Sequence, residues 1–375
     1  MIDVTKNGCC GCEVCVDACP FNAISMAADG LGFRNATVDT DRCNNCGLCD
    51  KVCPLEIKRF LGTAAHDVHE ARHRNLSEVK TSRSGAAFVA LSDVILDNGG
   101  IVYGACIDSE MHVSHTRATT RQERDTFKGS KYIQSKSAGI YRLLKFDLQE
   151  GKTVMFAGTP CQCAGLANYL PMRLYANLIL IDMVCHGVAS DAVWSDFLKM
   201  IEAKEKKKIK SVDFRDKVIY GWSGLHRESF IMSDDKKVVM PVTFYQSFLL
   251  RSACHSCPFS TEERVSDITL GDFWNWRQSG KIDNSDDCGI SIVMCNTEKG
   301  KALLDAASDD LIINKIDFKS AIQPNLQHPT PEDPLSKQFE EDYIANGFDY
   351  VRRKYYKVSA FSMLKYRIKR LMGRY

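Results

Sequence analysis

Residues 9–20 read CCGCEVCVDACP and residues 43–54 read CNNCGLCDKVCP. Each holds the run C-x2-C-x2-C-x3-C-P, and the second copy begins 34 positions after the first, Cys9 to Cys43. Three thiolates at this spacing clasp three irons of one 4Fe–4S cubane, and the fourth, three residues on, ligates the other cluster. The spacing therefore assigns Cys9, Cys12, Cys15 and Cys53 to one 4Fe–4S cluster. It assigns Cys43, Cys46, Cys49 and Cys19 to a second. Pro20 and Pro54 follow the crossing cysteines and turn the chain away, because proline fixes φ and offers no donor. Cys10 is left over, since taking it as the first ligand breaks the spacing. The alternative is zinc, which takes four ligands, usually as paired C-x2-C. Two uninterrupted four-cysteine runs, each closed by proline, do not match it.

The bulk numbers fit a globular chain built around such a module. Of 375 residues, 45% are apolar and 26% charged, and the net charge of +2 gives no bias toward nucleic acid. The length suits a small domain followed by a larger one. The chain opens MIDVTKNGCC, without an apolar leader, and its longest apolar runs, such as 178–181, are too short to span a bilayer. Seventeen cysteines in a cytoplasmic chain read as thiolate ligands rather than disulfides.

Working outward, residues 1–60 are the two-cluster 4Fe–4S ferredoxin domain. Residues 61–80 read as a charged connector containing a helix, with His66, His69 and His73 as solvated side chains and metal binding as their alternative. Residues 81–330 read as the main domain, with parts at about 81–165 and 166–330. Its pattern predicts a helix over 84–96, capped by Ser82 or Ser84 and stopped at Asn98-Gly99-Gly100. Strands follow at 101–107 and 111–117, then a helix at 137–148. Two strand–loop–helix units come next. Strand 153–157 leads through GTPCQCAG into a helix ending near 170, and strand 178–184 leads through CHGVAS into a helix at 191–203 capped by Ser190. Apolar strands alternating with helices predict an α/β fold with a mostly parallel, covered sheet. Ligands gather at the carboxyl ends of such strands, and both loops there carry a cysteine, Cys161 and Cys185. A further C-x2-C pair, Cys254 and Cys257, completes four thiolates that form a third site if they converge. C-x2-C alone also serves zinc and redox disulfides.

Six stretches then appear in order: GSKYIQS (129–135), FAGTPCQ (156–162), DMVCHGVAS (182–190), FRDK (214–217), CHSCPF (254–259) and DITLGDFW (267–274). From about 82 to beyond 274 the chain resembles the coenzyme F-420 hydrogenase/dehydrogenase beta-subunit family, in which a ferredoxin module is a common attachment. The resemblance implies that the larger α/β domain binds FAD beside a third 4Fe–4S cluster. It places that cluster on Cys161, Cys185, Cys254 and Cys257, with Cys163 as the rival of Cys161. Twelve cysteines are then ligands. Cys10, Cys106, Cys163, Cys288 and Cys295 remain, with Cys106 and Cys295 on apolar strands as core.

The resemblance also puts Gly129, Ser130, Lys131, Tyr132 and Gln134 near FAD. A glycine admits close backbone approach, a lysine offsets pyrophosphate charge, and hydroxyl and amide groups bond phosphate or ring edges. Without the family this segment reads as a surface turn, and no G-x-G-x-x-G precedes a helix in the right place. Asp267, Thr269 and Gly271 form a second candidate patch, whose alternative is a buried strand with Trp274 and Trp276 in the core. His186, beside a ligand, is a candidate hydrogen-bond or proton donor, with a purely structural role as its alternative.

The implied chemistry is a transformer between two-electron hydride transfer at FAD and one-electron transfer through clusters. Its substrate is a deazaflavin such as coenzyme F-420, or a related organic hydride donor or acceptor. The alternatives are a ferredoxin-dependent reductase of another substrate, such as a tetrapyrrole, and an electron-transfer subunit with no substrate of its own. A redox partner follows in each case, a ferredoxin or a hydrogenase/dehydrogenase subunit. The tail, 331–375, is acidic and then strongly basic. Phe361, Leu364, Ile368 and Leu371 recur at helical spacing, which fits a helix packed on its own domain or lying at the inner face of a membrane.

Overall fold

The cysteine repeat folds as two short helices, Val14–Ala18 and Leu48–Val52, around an antiparallel hairpin of β1 (Ile24–Ala28) and β2 (Arg34–Val38). The two copies match in backbone detail. The residue before each helix, Glu13 or Gly47, is left-handed (φ 63° and 70°), and each helix ends on an extended crossing cysteine, Cys19 or Cys53. Gly11, between two ligand positions, also has positive φ (67°), and a Cβ there would stand 2.4 Å from Gln134 Nε2. Only glycine satisfies both conditions. The computed structural model describes residues 8–57, 62–63, 67–171, 175–224, 227–240 and 243–356.

The remaining strands are β3 (Gly62–Thr63), β4 (Val68–His73), β5 (Ile101–Ile107), β6 (Val113–Ala118), β7 (Val154–Ala157), β8 (Leu178–Met183), β9 (Ile209–Asp213), β10 (Ser229–Met232), β11 (Lys237–Val239), β12 (Glu263–Arg264), β13 (Ile268–Asp272), β14 (Ser291–Cys295) and β15 (Leu311–Ile316). Eight of them make one sheet in the order β15-β4-β14-β13-β8-β7-β5-β6. The expected parallel core is present as β13-β8-β7-β5. Both wings are antiparallel, so the sheet is mixed. The short β5–β6 connection dictates this on one side, because parallel strands need a long crossover.

The structure corrects the reading of residues 61–80. A helix is there, Leu76–Thr81, but β4 precedes it and lies between β14 and β15. His69 and His73 are therefore strand residues, and His66 lies outside the described residues. The stretch VHEARH reads as solvated because its charges are conspicuous, yet Glu70 and Arg72 are buried. Glu70 accepts from Lys281 N (2.7 Å) and Asn314 Nδ2 (2.9 Å). Arg72 donates to Asp283 O (2.7 Å) and pairs with Asp286. Paired charges tolerate such burial. The cap at 82–84 is also corrected. The helix Ala87–Asp97 starts after left-handed Ala86 with no side-chain cap, and Ser84 Oγ instead donates to Ile290 O at 2.6 Å.

The ferredoxin module and the main domain share one apolar core. Cys12, Val14 and Cys15 pack with Phe156, Leu166, Ala167 and Leu180. Two buried carboxylates fasten the joint. Glu13 Oε2 accepts from Ser137 N (2.6 Å) and Ala138 N (2.7 Å). Asp17 accepts from Gly139 N (2.6 Å) and Tyr141 N (2.9 Å). They satisfy the free N–H groups that open the helix Ile140–Gln149. On the other side Leu31 and Phe33 enter a second core with Trp194, Phe197, Phe339 and Val351. The last two come from the helices Ser336–Asn346 and Phe348–Tyr355. The amphipathic pattern over 361–371 lies outside the described residues. Among the described residues no helix is long and apolar enough to cross a membrane.

Candidate functional site

The cysteines of the repeat gather as two sets. Cys19, Cys43, Cys46 and Cys49 line a single small cavity, with Ile24, Val38 and Leu48 as its apolar wall. Around the other set, Cys15 is pushed up to about 12 by burial and by the charges of Cys9, Cys53 and Cys49. Cys53 is raised by burial and by Cys9. Backbone amides point at two sulfurs, Gly11 N at Cys9 Sγ (3.4 Å) and Ala23 N at Cys19 Sγ (3.3 Å). Such N–H···S contacts are one of the levers that set cluster potentials.

Three distant elements bring the remaining thiols together. Pro160 and a capping box between Thr159 and Gln162 open the helix Pro160–Tyr169, so Cys161 sits in its first turn. Cys185 follows β8, and Cys254 lies in a 3₁₀ turn that ends at Cys257. A Cβ on Gly187 would approach Cys254 Cβ to 3.1 Å, so a glycine there lets the two loops meet. Burial raises the Cys185 thiol, and charges on Cys254, Cys161 and Cys257 raise it further. Cys254 is pushed up to about 12 by burial, with Cys161 and Cys257 adding to it. Cys257 rises through burial and Cys161. Four partly buried thiols that destabilise one another as thiolates fit a polycationic iron centre, which relieves that repulsion. Cys163 stands apart from this set. It is fully buried, and its thiol contacts Ile181 O at 3.4 Å.

The Cys10 thiol lies beside Cys12 of the first set and Cys161 of the third, and it is raised, chiefly by Cys12 and by burial. Arg251 braces the same junction. It donates to Cys9 O (2.7 Å), Asn35 Oδ1 (2.9 Å), Arg34 O (2.9 Å) and Gln134 Oε1 (2.8 Å). Gln134 in turn donates to Cys10 O at 2.7 Å.

Beyond the third set opens a cleft of about 530 Å3. Lys80, Arg83, Lys128, Lys131, Arg215 and Lys217 line it with Gly129 and Ser130, against Asp125 and Asp213. Lys128 is neutralised by Glu78 (2.6 Å) and Asp125 (2.9 Å). Among the described residues Lys131 donates to the carbonyls of Thr126 and Lys128, at 3.1 and 2.9 Å, and burial pulls its pKa down to about 7. Lys217 donates to Ser84 O (3.0 Å) and Cys288 O (2.5 Å). Burial, then the charge of Arg83, brings it to about 7 as well. Arg83 is lowered by burial, and its Nε is buried without a hydrogen-bond partner. Desolvated cations of this kind call for an anion.

An aromatic group joins cleft and thiols. Tyr132 stacks on His186 (centroids 5.6 Å, 13°) and leans on Tyr245 (5.0 Å), and His186 Nδ1 meets Tyr245 Oη at 2.5 Å. Arg215 Nη1 donates to Tyr132 Oη and to Asp272 Oδ2, both at 3.4 Å. Asp272 also accepts from Trp222 Nε1 (3.0 Å) and faces Arg83 at 3.6 Å. The segments GSKYIQS and HGVAS pair directly, with Ala189 N donating to Tyr132 O at 2.9 Å.

Gly129, Ser130 and Lys131 thus line the cleft, and Tyr132 and His186 stand between it and the third thiol set. Burial, then the charge of Arg215, lowers His186, which keeps its ring neutral. Gln134 serves the ferredoxin joint instead. Asp267 is an internal anchor that accepts from Leu180 N (2.8 Å) and Thr297 Oγ1 (2.7 Å). Thr269 accepts from Arg264 Nε (3.0 Å), and Gly271 packs on Val184, where a Cβ would stand 3.1 Å from its Cγ2. Trp274 is exposed and stacked on Trp222, and not a core residue. Sequence reasoning missed Arg83, Arg215, Lys217 and Asp272. Three of these fall within the FRDK and DITLGDFW stretches, and Arg83 carries no local signal.

Residues 151–320 match the family described as the C terminus of the coenzyme F420 hydrogenase/dehydrogenase beta subunit, while residues 8–57 match the 4Fe–4S dicluster domain. Two curated proteins are similar over part of the chain. One is an iron–sulfur subunit of the CoB–CoM heterodisulfide reductase of Methanocaldococcus jannaschii, 35% identical over 16% of this chain and 13% of that protein. The other is a subunit of the Na(+)-translocating ferredoxin:NAD(+) oxidoreductase complex of Acetobacterium woodii, 42% identical over 16% of each. The chain therefore spans only a small part of these relatives. Among solved structures, a chain of the F420-reducing [NiFe] hydrogenase complex from Methanosarcina barkeri aligns with a TM-score of 0.47 and 16% identity, covering 79% of this chain and 94% of that chain.

Proposed function

Starting from a chain that joins a 4Fe–4S dicluster domain to the C-terminal domain of the coenzyme F420 hydrogenase/dehydrogenase beta-subunit family, we propose an iron–sulfur flavoprotein oxidoreductase. The observation that carries this is the basic cleft, which runs by way of Tyr132 and His186 to the four thiols of Cys161, Cys185, Cys254 and Cys257. In this reading those thiols hold a third 4Fe–4S cluster and the two sets of the repeat hold the others. FAD, when bound in the cleft, exchanges a hydride with an organic partner and single electrons with the clusters. A deazaflavin such as coenzyme F420 is the partner proposed.

The chain's own residues bind and position. Lys131 and Lys217, with Arg83 beside them, offer a diphosphate their positive charge. Asp272 holds the cleft residue Arg215 and accepts from the indole of Trp222. Arg251 and Gln134 hold the backbone at Cys9 and Cys10 against the main domain, so the module cannot drift from the third set. At the outer end, Cys46 is exposed between Phe21 and Leu48 around the second cavity. That surface is the proposed place of contact with a redox partner protein.

The test is FAD titration of anaerobic, cluster-loaded protein, followed by addition of reduced deazaflavin. Wild type takes up one FAD and bleaches on hydride transfer. The Arg83→Met/Lys217→Met double variant, still loaded with iron, loses FAD. Unchanged FAD uptake in that variant removes the cleft from the account.

A further inference from the structure

A second group of ligating side chains lies at the opposite end of the sheet. Asp272, on the cleft, pairs with Ser291, whereas Cys295 pairs with Ile268 at the far end of β13. Asp67 immediately precedes β4, His69 lies within it, and Cys295 N donates to Asp67 O at 2.9 Å. Side chains alternate along a strand, so His69 shares a face with Asp67. One ligand atom from each of Asp67, His69 and Cys295 lies within 4.8 Å of the others. His69 Nε2 and Asp67 Oδ1 are 3.0 Å apart. Asp67 Oδ2 and His69 Nδ1 are buried without a hydrogen-bond partner among the described residues.

We propose that Asp67, His69 and Cys295 form a binding site for a divalent cation of the zinc class, separate from the cluster cysteines. One thiolate, one imidazole and one carboxylate make a borderline-soft donor set that suits zinc, with water completing four positions. The orphaned atoms indicate that hydrogen bonding alone does not satisfy this group. Without the cation, Lys315 Nζ takes its place, 3.2 Å from Asp67 Oδ1. Its side chain is 63% exposed, so it is free to swing into solvent when a cation arrives. Binding converts the Cys295 thiol to a thiolate and releases its proton to solvent. The bound cation ties β4 to β14, the two strands that bring these ligands together.

The test uses the anaerobic, cluster-loaded protein equilibrated with Zn2+, then analysed for zinc and iron per chain and by zinc K-edge absorption. Wild type binds about one zinc with iron unchanged, showing one sulfur at about 2.3 Å among nitrogen and oxygen ligands at about 2.0–2.2 Å. His69→Ala and Cys295→Ala lose that zinc and keep their iron. Lys315→Met, a surface change, binds zinc roughly two- to fivefold more tightly, the scale of one exposed ion pair. An all-sulfur zinc environment, or zinc uptake unaffected by both ligand variants, overturns the proposal. If the ligand variants fail to fold, Lys315→Met decides, and equal or weaker binding there overturns it too.

Discussion

Flavin affinity in the cleft should fall steeply as pH rises through neutrality. Lys131 and Lys217 are each brought down to about 7 by burial, with no carboxylate on either ammonium. A bound diphosphate supplies the missing countercharge and returns each toward the ordinary lysine value of about 10.4. The sign follows from linkage. The free-state pKa lies below the bound-state pKa, so binding takes up a proton between them. Affinity is therefore complete below about pH 7 and declines above it, at up to tenfold per pH unit for each lysine. At pH 8 one lysine accounts for a loss of about tenfold and both together for about a hundredfold, as upper limits. The assay is equilibrium dialysis of FAD against flavin-depleted, cluster-loaded protein between about pH 6.5 and 8.5. Lys131→Met and Lys217→Met should each weaken binding at low pH and remove one lysine's share of the slope. A flat profile in wild type, or an unchanged slope in the double variant, refutes the reasoning and takes the diphosphate out of this cleft.

The ligand sets give a direct contrast. Cys254→Ala should lose about four irons per chain by metal analysis, while Cys163→Ala, whose thiol faces the carbonyls of Gly158 and Ile181 inside the apolar core, should lose none. Asp17→Asn removes the charge that three amides at the start of helix Ile140–Gln149 bond to. It should weaken the joint by about 2–3 kcal/mol, seen as faster hydrogen exchange at residues 139–142 with the far end of the sheet unchanged. Asp267→Ala should lower the thermal midpoint, because Leu180 N and Thr297 Oγ1 lose their acceptor, while FAD uptake by the folded protein stays as in wild type.

The parts of this molecule legible in its sequence are those whose geometry is local. Each ferredoxin set takes three ligands from seven consecutive residues, so spacing reports the arrangement directly. The third set comes from Cys161, Cys185 and the pair Cys254/Cys257 on three separate elements, so the pattern only raised the possibility of a site and resemblance to a family assigned the cluster to it. The cleft divides in the same way. Gly129 to Lys131 lie in a recognisable stretch, whereas Arg83 reaches the cleft from the segment that leads into helix Ala87–Asp97 and leaves no mark in its neighbourhood. Gln134 shows the converse, since it belongs to the same stretch yet bonds Cys10 and Arg251 at the ferredoxin joint. The strand β4 was hidden by its charges. Glu70 and Arg72 are buried because Lys281, Asn314, Asp283 and Asp286, far off in sequence, meet them. A charged stretch read without its partners looks solvated.

The most direct measurement is the count of iron, acid-labile sulfide and released flavin per chain on protein purified without oxygen. Three cubanes feeding a flavin require about twelve irons, about twelve sulfides and one FAD. About eight irons and no flavin, even after reconstitution with iron, sulfide and FAD, would contradict the account. The chain would then be a two-cluster carrier with an empty basic cleft.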